Sequence, residues 1–183
     1  MDPVAKRPRV ATVWLGGCSG CHMSFLDLDE RLIDLAEQIE LVYSPIVDEK
    51  EYPSEVDVVL VEGAVANEEH LSFIREVREK TKFVLAFGDC AVTGNVTAIR
   101  NVLGRAEPVL QRAYIENATL TPQIPREPGI VPALLDRVRP LHEVVAVDLY
   151  LPGCPPSADL IFYAVSELVA GRRPDLNERL RYG

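Results

Sequence analysis

Residues 10–21 have the sequence VATVWLGGCSGC, in which a six-residue apolar run is followed at once by two glycines and a Cys-x-x-Cys pair. The run Val10–Leu15 is apolar at nearly every position, and this predicts a strand that is buried on both faces. Similar runs occur at 40–43, 56–61, 82–87 and 144–151. Segments with helical spacing lie between them, so the sequence predicts an α/β domain with a doubly wound parallel sheet, and we expect a flavodoxin-like strand order.

The segments between these strands predict helices, several of which begin at a residue that commonly caps a helix N terminus. They are a helix from Ser24 to Ile39, one capped by Asn67, a short one over Asn95–Leu103, one over Val131–Arg139, and a last one over Ala158–Ala170 that Ser157 caps. The stretch Arg105–Pro128 has four prolines and no clean periodicity. We expect it to be irregular, and either to serve a function or to pack against a partner.

The composition excludes several classes of protein. The chain has 183 residues, 48% of them hydrophobic and 26% charged, which is typical of one globular domain. The net charge of -9 argues against a nucleic-acid partner. No apolar run approaches the ~18 residues of a membrane span, and no export signal is visible. We therefore expect a single domain over residues 1–183 with short basic tails at 1–9 and 171–183, located in the cytoplasm and away from membranes.

All four cysteines follow the carboxyl ends of predicted strands. Cys18 and Cys21 come after the first strand, Cys90 after the fourth and Cys154 after the last. The carboxyl ends of parallel strands meet at one edge of a sheet, and ligands bind there. Glycines flank each of these cysteines, and glycine allows the backbone to approach a bulky ligand closely. The sequence therefore predicts that the four thiols converge on one ligand.

Four thiols are compatible with several kinds of site. An iron–sulfur cluster, either 2Fe-2S or 4Fe-4S, uses all four, and the pair Cys154-Pro155 is common at such ligands. Zinc usually takes its four thiolates from two short Cys-x-x-Cys pairs, and this chain has only one. A thioredoxin-type redox pair would use Cys18 and Cys21 alone. Four buried thiols without a ligand are the simplest alternative, but we favour the cluster because it accounts for every cysteine.

Four motifs around these cysteines resemble those of a known family. They are Gly17-Cys18-Ser19-Gly20-Cys21-His22-Met23-Ser24, Val61-Glu62-Gly63, Gly88-Asp89-Cys90-Ala91 and Pro152-Gly153-Cys154-Pro155-Pro156. In this order, between about Val10 and Leu168, the chain is similar to the small subunit of NiFe hydrogenases, and most similar to the bidirectional NAD-reducing type. The related quinone-reductase subunit of respiratory complex I has adjacent cysteines in place of Cys18-Ser19-Gly20-Cys21, so the spacing favours the hydrogenase.

This resemblance implies a flavodoxin-like domain in which Cys18, Cys21, Cys90 and Cys154 bind the proximal 4Fe-4S cluster. The implied role is electron relay between the NiFe site of a separate large subunit, where H2 is split, and the iron–sulfur and flavin subunits of a diaphorase that reduces NAD. Because all four cysteines are assigned to the cluster, the NiFe centre lies on the partner and this chain has no catalytic residue. The alternatives are a complex I-type subunit beside a quinone and a zinc-stabilised binding module.

Other side chains near the cysteines carry weaker predictions. Glu62 ends a buried strand at the same sheet edge, and it is either a polar contact near the cluster or the large subunit, or a cap or salt-bridge carboxylate. Asp89 is expected to cap the turn that positions the third cysteine. We expect His22 to form a hydrogen bond near the cluster rather than to bind it. Trp14 and Phe87 are expected in the core.

A flavin is the alternative cofactor on a fold of this type. The first strand–helix turn holds cysteines instead of a phosphate-binding loop, and fold alone is weak evidence for a cofactor, so FMN is not expected to bind. A cluster at the edge of so small a domain needs protection from water and oxygen. We therefore expect an obligate complex with an interface larger than the usual ~1,600 Å2.

Overall fold

The computed structural model describes residues 6–177, 179 and 180, and strands alternate with helices along them. The strands are β1 (Arg9–Trp14), β2 (Glu40–Tyr43), β3 (Val56–Glu62), β4 (Val65–Asn67), β5 (Thr81–Phe87), β6 (Leu134–Arg139) and β7 (Leu149–Leu151). The α-helices are α1 (Gly20–Leu26), α2 (Arg31–Gln38), α3 (Glu68–Lys80), α4 (Asp89–Thr93), α5 (Glu107–Gln111) and α6 (Ala158–Val169). Two 3₁₀ helices (Asn95–Leu103 and Leu141–Glu143) and one π-helical turn (Arg112–Glu116) complete the set.

The central sheet has the strand order β2-β1-β3-β5-β7, and every neighbouring pair is parallel. Counted along these strands alone, the order is the 2-1-3-4-5 order of flavodoxin-like folds. Because all strands point the same way, their carboxyl ends form one continuous edge. The predicted doubly wound, flavodoxin-like sheet is thereby confirmed.

Both faces of this sheet are buried, since successive residues of a strand point to opposite sides. Leu60 packs in one apolar cluster with Leu35 of α2 and Ile161 of α6. Its neighbour Val59 packs on the other side with Ile74 of α3. Full burial of such a side chain stabilises a fold by roughly 1.5–3 kcal/mol. The two clusters give the site a rigid base.

The helix predicted from Ser24 to Ile39 is two helices, with four residues between α1 and α2. Asp29 in this break has a φ of 50°. Ser24 lies inside α1 instead of capping it, and its hydroxyl donates a hydrogen bond to the Pro156 carbonyl at 2.6 Å. A contact with a loop so distant in the chain leaves no trace in local periodicity, and for this reason the prediction was wrong. By contrast, Asn67 and Ser157 cap α3 and α6 as predicted.

The helix predicted over Val131–Arg139 is also wrong, because most of this segment forms β6. Strand β6 pairs antiparallel with β4, and together they make a small second sheet. The guanidinium of Arg100 donates hydrogen bonds to the carbonyls of Ala66 at 3.0 Å and of Leu135 at 2.7 Å, one on each side of this pair. The pairing partner, more than local propensity, decides that this segment is extended.

Three smaller differences concern a strand boundary, the irregular stretch and the burial of one side chain. The last predicted strand, Val144–Leu151, is reduced to the three residues of β7, because residues 144–148 form a turn, bends and irregular backbone instead of a strand. The stretch Arg105–Pro128 begins with α5 and the π-helical turn before it becomes irregular. Phe87 is fully buried as expected, but Trp14 is 48% exposed. Trp14 lines an apolar groove between β1 and the helices α1 and α2, which do not cover its side chain.

The predicted basic tails lie only partly within the described residues, since 1–5, 178 and 181–183 are outside them. Arg9 is the first residue of β1. Arg172 pairs with Glu167 at 2.6 Å, and Arg173 donates a hydrogen bond to the Asp148 carbonyl at 2.9 Å. Within the described part of the chain, no helix combines the length and apolar character needed to cross a membrane.

Candidate metal centre

The loops that follow β1, β5 and β7 carry the four cysteines to the carboxyl edge of the sheet. Cys21 lies in the first turn of α1 and Cys90 in α4, and each is only 7% exposed. Cys18 and Cys154 lie in the loops before α1 and after β7, and both are exposed. The site therefore has two inner thiols, which belong to the core, and two outer thiols, which face solvent in the isolated chain.

Burial and neighbouring groups disfavour the charged form of both inner thiols and raise their pKa values. Burial raises the pKa of the Cys21 thiol, and the negative charges of Glu62 and of the other three cysteines raise it further. Burial also raises the pKa of the Cys90 thiol, although a hydrogen bond with Thr97 works in the opposite direction. Thiolates bind metals, so a site of this kind needs a nearby cation to hold its sulfurs in the charged form.

The loop after β5 fits tightly against the other two cysteine loops at Gly88. Gly88 has a φ of 81°, and a Cβ atom at this position would collide with the Cys21 sulfur. The next residue, Asp89, ties this loop to the one after β7. Its backbone N–H donates to the Gly153 carbonyl at 2.9 Å, and its carboxylate accepts from the Gly153 N–H at 2.7 Å. Asp89 thus joins two cysteine loops and is more than a local cap.

Both outer sulfurs accept hydrogen bonds from N–H groups of the chain. The backbone N–H of Gly20 lies 3.4 Å from the Cys18 sulfur, and the side-chain amide of Asn95 lies 3.3 Å from the Cys154 sulfur. Donors of this type stabilise negative charge on sulfur and help to set the potential of a bound cluster. Sequence reasoning missed Asn95, whose only signal was its position in a Gly-Asn pair shortly after the third cysteine.

Glu62 and His22 form a hydrogen-bonded pair next to the Cys18–Cys21 segment, in which Glu62 is buried and His22 is partly exposed. Glu62 is 1% exposed, and its carboxylate accepts a hydrogen bond from the backbone N–H of His22 at 2.9 Å. The same carboxylate oxygen contacts Nδ1 of the His22 ring. The other ring nitrogen, Nε2, is buried and has no hydrogen-bond partner among the described residues. Glu62 thus caps the start of α1, which is one of the roles predicted for it, and its partner is the residue next to Cys21.

The donor set fits an iron–sulfur group at this edge. In residues 6–177, 179 and 180, no three Cys, His, Asp or Glu side chains are grouped so as to hold one metal ion. The fit rests on three observations: four thiols share the edge, Gly88 leaves room beside the Cys21 sulfur, and Nε2 of His22 is an unpartnered buried polar atom. Buried polar atoms normally have a partner, so an added polar group would complete this one.

An apolar groove opens beside the thiols on the α1–α2 side of the sheet. Its volume is about 590 Å3, and Ser19 and His22 line one end of it. Trp14, Met23 and Ile46 also line it and are at least 48% exposed. Exposed apolar patches of this kind mark interaction surfaces in many proteins.

Comparison with known proteins identifies the family. The model of the family described as "NADH ubiquinone oxidoreductase, 20 Kd subunit" matches residues 18–168, which include all four cysteines. The chain belongs to this family. The match runs from the loop after β1 almost to the end of α6, and thus includes four of the five strands of the central sheet.

Two curated members of the family are hydrogenase subunits. The chain is 41% identical over 182 residues to a subunit of the F420-non-reducing hydrogenase of Methanothermobacter thermautotrophicus, and the match covers 96% of this chain and 58% of that protein. It is also 41% identical over 185 residues to the HoxS subunit delta of the NAD-reducing hydrogenase of Cupriavidus necator, with 96% and 88% covered. The chain thus spans little more than half the length of the F420-non-reducing subunits that it matches.

A solved family member has the same fold along nearly the whole chain. The crystal structure of an NAD+-reducing [NiFe]-hydrogenase in the H2-reduced state contains a chain with a TM-score of 0.91 and 41% identity. The match covers 97% of this chain and 100% of that one. The resemblance to hydrogenase small subunits that the four motifs predict is therefore confirmed.

Proposed function

We propose that this chain holds one 4Fe-4S cluster on Cys18, Cys21, Cys90 and Cys154 and relays electrons within a NiFe hydrogenase. The observation that carries the proposal is the presence of all four cysteines at one edge of the sheet, where Gly88 lies against the Cys21 sulfur and Asp89 ties the Cys90 loop to the Cys154 loop at Gly153. When bound, such a cluster exchanges single electrons at a potential set by its surroundings. The names of the relatives, among them an iron–sulfur subunit that is 33% identical, support this assignment.

The four cysteines differ in exposure, and we assign the buried and the exposed ones different roles. Cys21 and Cys90 are buried and would anchor the group in the core. Cys18 and Cys154 are exposed and would bring it to the surface, where electrons enter and leave. The N–H donors at Gly20 and Asn95 lower the energy of negative charge on these outer sulfurs.

The proposed partner is a large hydrogenase subunit that holds the NiFe centre. All four cysteines of this chain are used by the cluster, so the hydrogen chemistry belongs to that partner. The exposed thiols and the apolar groove with Trp14, Met23 and Ile46 support a partner that covers this side. Iron–sulfur and flavin subunits of a diaphorase would carry the electrons onward to NAD, and FMN is not part of the proposal for this chain.

The electron acceptor distinguishes two versions of the proposal. Similarity to HoxS subunit delta and to the NAD+-reducing structure supports NAD as the final acceptor, and a cytoplasmic location goes with that acceptor. The F420-non-reducing hydrogenase subunit has the same 41% identity, so a hydrogenase with another acceptor is the second candidate. The family description supports a complex I-type subunit beside a quinone as an alternative. A zinc-stabilised binding module that uses the four thiols is another alternative.

Anaerobic purification of the tagged chain with its bound subunits tests the proposal. We expect about four iron atoms per chain and a brown absorption that dithionite bleaches. Nickel in a co-purifying large subunit and H2-dependent reduction of NAD complete the expected result. Zinc without visible absorption would establish the binding module instead, and electron transfer to a quinone without nickel would establish the complex I-type subunit.

Ligand variants make the assignment specific to residues. Cys21→Ala and Cys154→Ala should each lose nearly all cluster iron, because a cluster of this type needs a thiolate at each of four irons. Iron analysis and visible absorption measure the loss. Ser157→Ala is the control, since Ser157 lies three residues beyond Cys154 and only caps α6. Full iron in either cysteine variant would remove that residue from the ligand set.

A further inference from the structure

Glu62 is unusual because it is a charged side chain with no access to solvent. Among the described residues, the other buried polar side chains are Thr12, Ser24, Ser44 and Thr81, and all of them are neutral. A buried carboxylate destabilises a fold unless hydrogen bonds or opposite charges compensate for its lost hydration. No Lys or Arg of the described residues pairs with it, so the compensation must come from its hydrogen-bond partners.

Both partners of Glu62 belong to His22, the residue after the second cysteine of the Cys-x-x-Cys pair. One carboxylate oxygen accepts from the His22 backbone N–H at 2.9 Å and also contacts the ring at Nδ1. The other oxygen lies near Gly17, the residue before Cys18. A Cβ atom added to Gly17 would be 3.5 Å from this oxygen. The carboxylate therefore holds the residue after the Cys18–Cys21 segment and lies near the residue before it.

The start of α1 explains why this segment needs support from outside. Ser19 precedes the helix in the left-handed conformation with a φ of 63°, and its side chain does not cap α1. Its hydroxyl donates to the Cys18 carbonyl at 2.6 Å instead. A capping side chain normally accepts from the N–H of the second or third helical residue. Here the third residue is His22, and the acceptor comes from β3.

We propose that Glu62 is a positioning residue that clamps the Cys18–Cys21 segment to the end of β3 through His22. Strand β3 lies between β1 and β5. Glu62 thus sets where the first two thiols sit relative to Cys90 in the loop after β5. Its charge also lies close enough to Cys21 to act on that sulfur. This inference rests on the proposed function, since it concerns the geometry of the same ligands.

Asp57 is a matched control on the same strand. It too accepts a backbone N–H, that of Arg9 at 2.8 Å, but at the amino end of β3 and far from every cysteine. Its second oxygen accepts from Lys82 at 2.7 Å. A variant of Asp57 therefore reports on the loss of a strand-end carboxylate without touching the clamp.

The experiment compares Glu62→Ala, Glu62→Gln and Asp57→Asn in the anaerobically purified complex. Three measurements are made: iron per chain, the midpoint potential of the iron–sulfur signal by redox-titrated electron paramagnetic resonance, and amide hydrogen exchange of residues 18–26. Exchange is also measured after the iron has been removed, so that one readout does not depend on the metal.

The clamp predicts a different result for each variant. Glu62→Ala loses more than half of the iron, and residues 18–26 exchange faster even without metal. Glu62→Gln keeps an acceptor for the His22 N–H and retains the iron, but its potential shifts upward because a negative charge near Cys21 is gone. Asp57→Asn matches the wild type in iron, potential and exchange of this segment.

Two results would overturn the inference. One is wild-type iron and wild-type potential in both Glu62 variants, and the other is an equal loss of iron in Glu62→Ala and Asp57→Asn. If the wild-type chain itself contains no iron, the proposed function fails. The clamp is then tested by amide exchange alone: unchanged exchange of residues 18–26 in metal-free Glu62→Ala would show that Glu62 does not hold this segment.

Discussion

Strand β3 has one carboxylate near each end, and the two carboxylates differ in burial and in the charge of their partners. Asp57 at the amino end is partly exposed, pairs with Lys82 and accepts the Arg9 N–H. Glu62 at the carboxyl end is buried, and its one hydrogen-bonding residue in the described part of the chain is His22. Every cysteine lies on the side of Glu62, and none lies on the side of Asp57.

This difference separates an edge whose carboxylate is neutralised by the chain itself from one where no cation of the described residues does so. At the amino edge, a cation of the chain itself neutralises the carboxylate, as on most protein surfaces. At the carboxyl edge, the described residues bring together a buried carboxylate and four thiols whose sulfurs oppose one another's ionisation. An edge with that arrangement holds its sulfurs as thiolates only when positive charge is supplied, as a metal group does.

The largest expected effect on stability tests how firmly packing holds the carboxyl edge. Phe87 is fully buried at the end of β5, and its ring lies edge-on to His22 with centroids 6.0 Å apart. Phe87→Ala should lower the free energy of unfolding by about 3–5 kcal/mol, because it leaves a cavity in the core. Urea unfolding followed by fluorescence of Trp14, the only tryptophan, measures the change.

The matched variant Phe87→Leu keeps most of the apolar volume and should cost less than ~1.5 kcal/mol. A small effect of Phe87→Ala would mean that the core does not hold this edge. The contrast between the two ends of the sheet would then be one of charge alone.

The next effect concerns the glycine between two cysteine loops. Gly88→Ala forces a side chain into positive φ, at a cost of order 1–3 kcal/mol, and also drives a methyl group against the Cys21 sulfur. Gly104→Ala is the control, because Gly104 has a φ of 73° with nothing within 4 Å of an added Cβ atom. We expect Gly88→Ala to have the larger loss of stability and to lose iron, whereas Gly104→Ala keeps its iron. Equal behaviour of the two would show that the Cys21 contact has no consequence.

The smallest effect belongs to the amino edge and depends on pH. Burial opposes ionisation of Asp57, but hydrogen bonds from Lys82 and from the Arg9 N–H outweigh it and lower the pKa of the carboxyl. A lowered folded-state pKa contributes stability above the ordinary Asp value of about 3.9, and this stability is lost as pH falls through the lower folded value.

Asp57→Asn should therefore reduce stability at pH 7 by about 1 kcal/mol or less, since exposed ion pairs contribute little. Its difference from the wild type should begin to shrink below about pH 4 and disappear only once the pH is below the lowered folded-state pKa of Asp57. Urea unfolding at pH 7 and at pH 3 measures both values. A difference as large at pH 3 as at pH 7 would argue against the ion pair as its cause.

The positions of the cysteines could be predicted because strands of a parallel sheet are visible as local apolar runs. Runs such as Val10–Leu15 and Val56–Val61 place the following residues at the carboxyl edge whatever the rest of the chain does. The caps at Asn67 and Ser157 were predictable for the same reason, since capping depends on a few neighbouring residues.

The failures share one physical cause, which is contact between distant segments. Strand β6 is extended because β4 pairs with it, and the break after α1 accompanies a hydrogen bond from Ser24 to the Pro156 loop. Trp14 lies in an apolar strand and still faces a groove, because α1 and α2 do not cover it. Local composition contains none of this information.

The sequence by itself determined the parallel α/β architecture, the edge at which the cysteines lie and the resemblance to hydrogenase small subunits, since each depends on patterns along the chain. Only the tertiary structure decided that Glu62 is buried against His22, that Asp89 joins two cysteine loops and that Asn95 donates to the Cys154 sulfur. These contacts join residues from different loops and strands of the chain. They exist only once the strands have assembled and the loops meet at one edge.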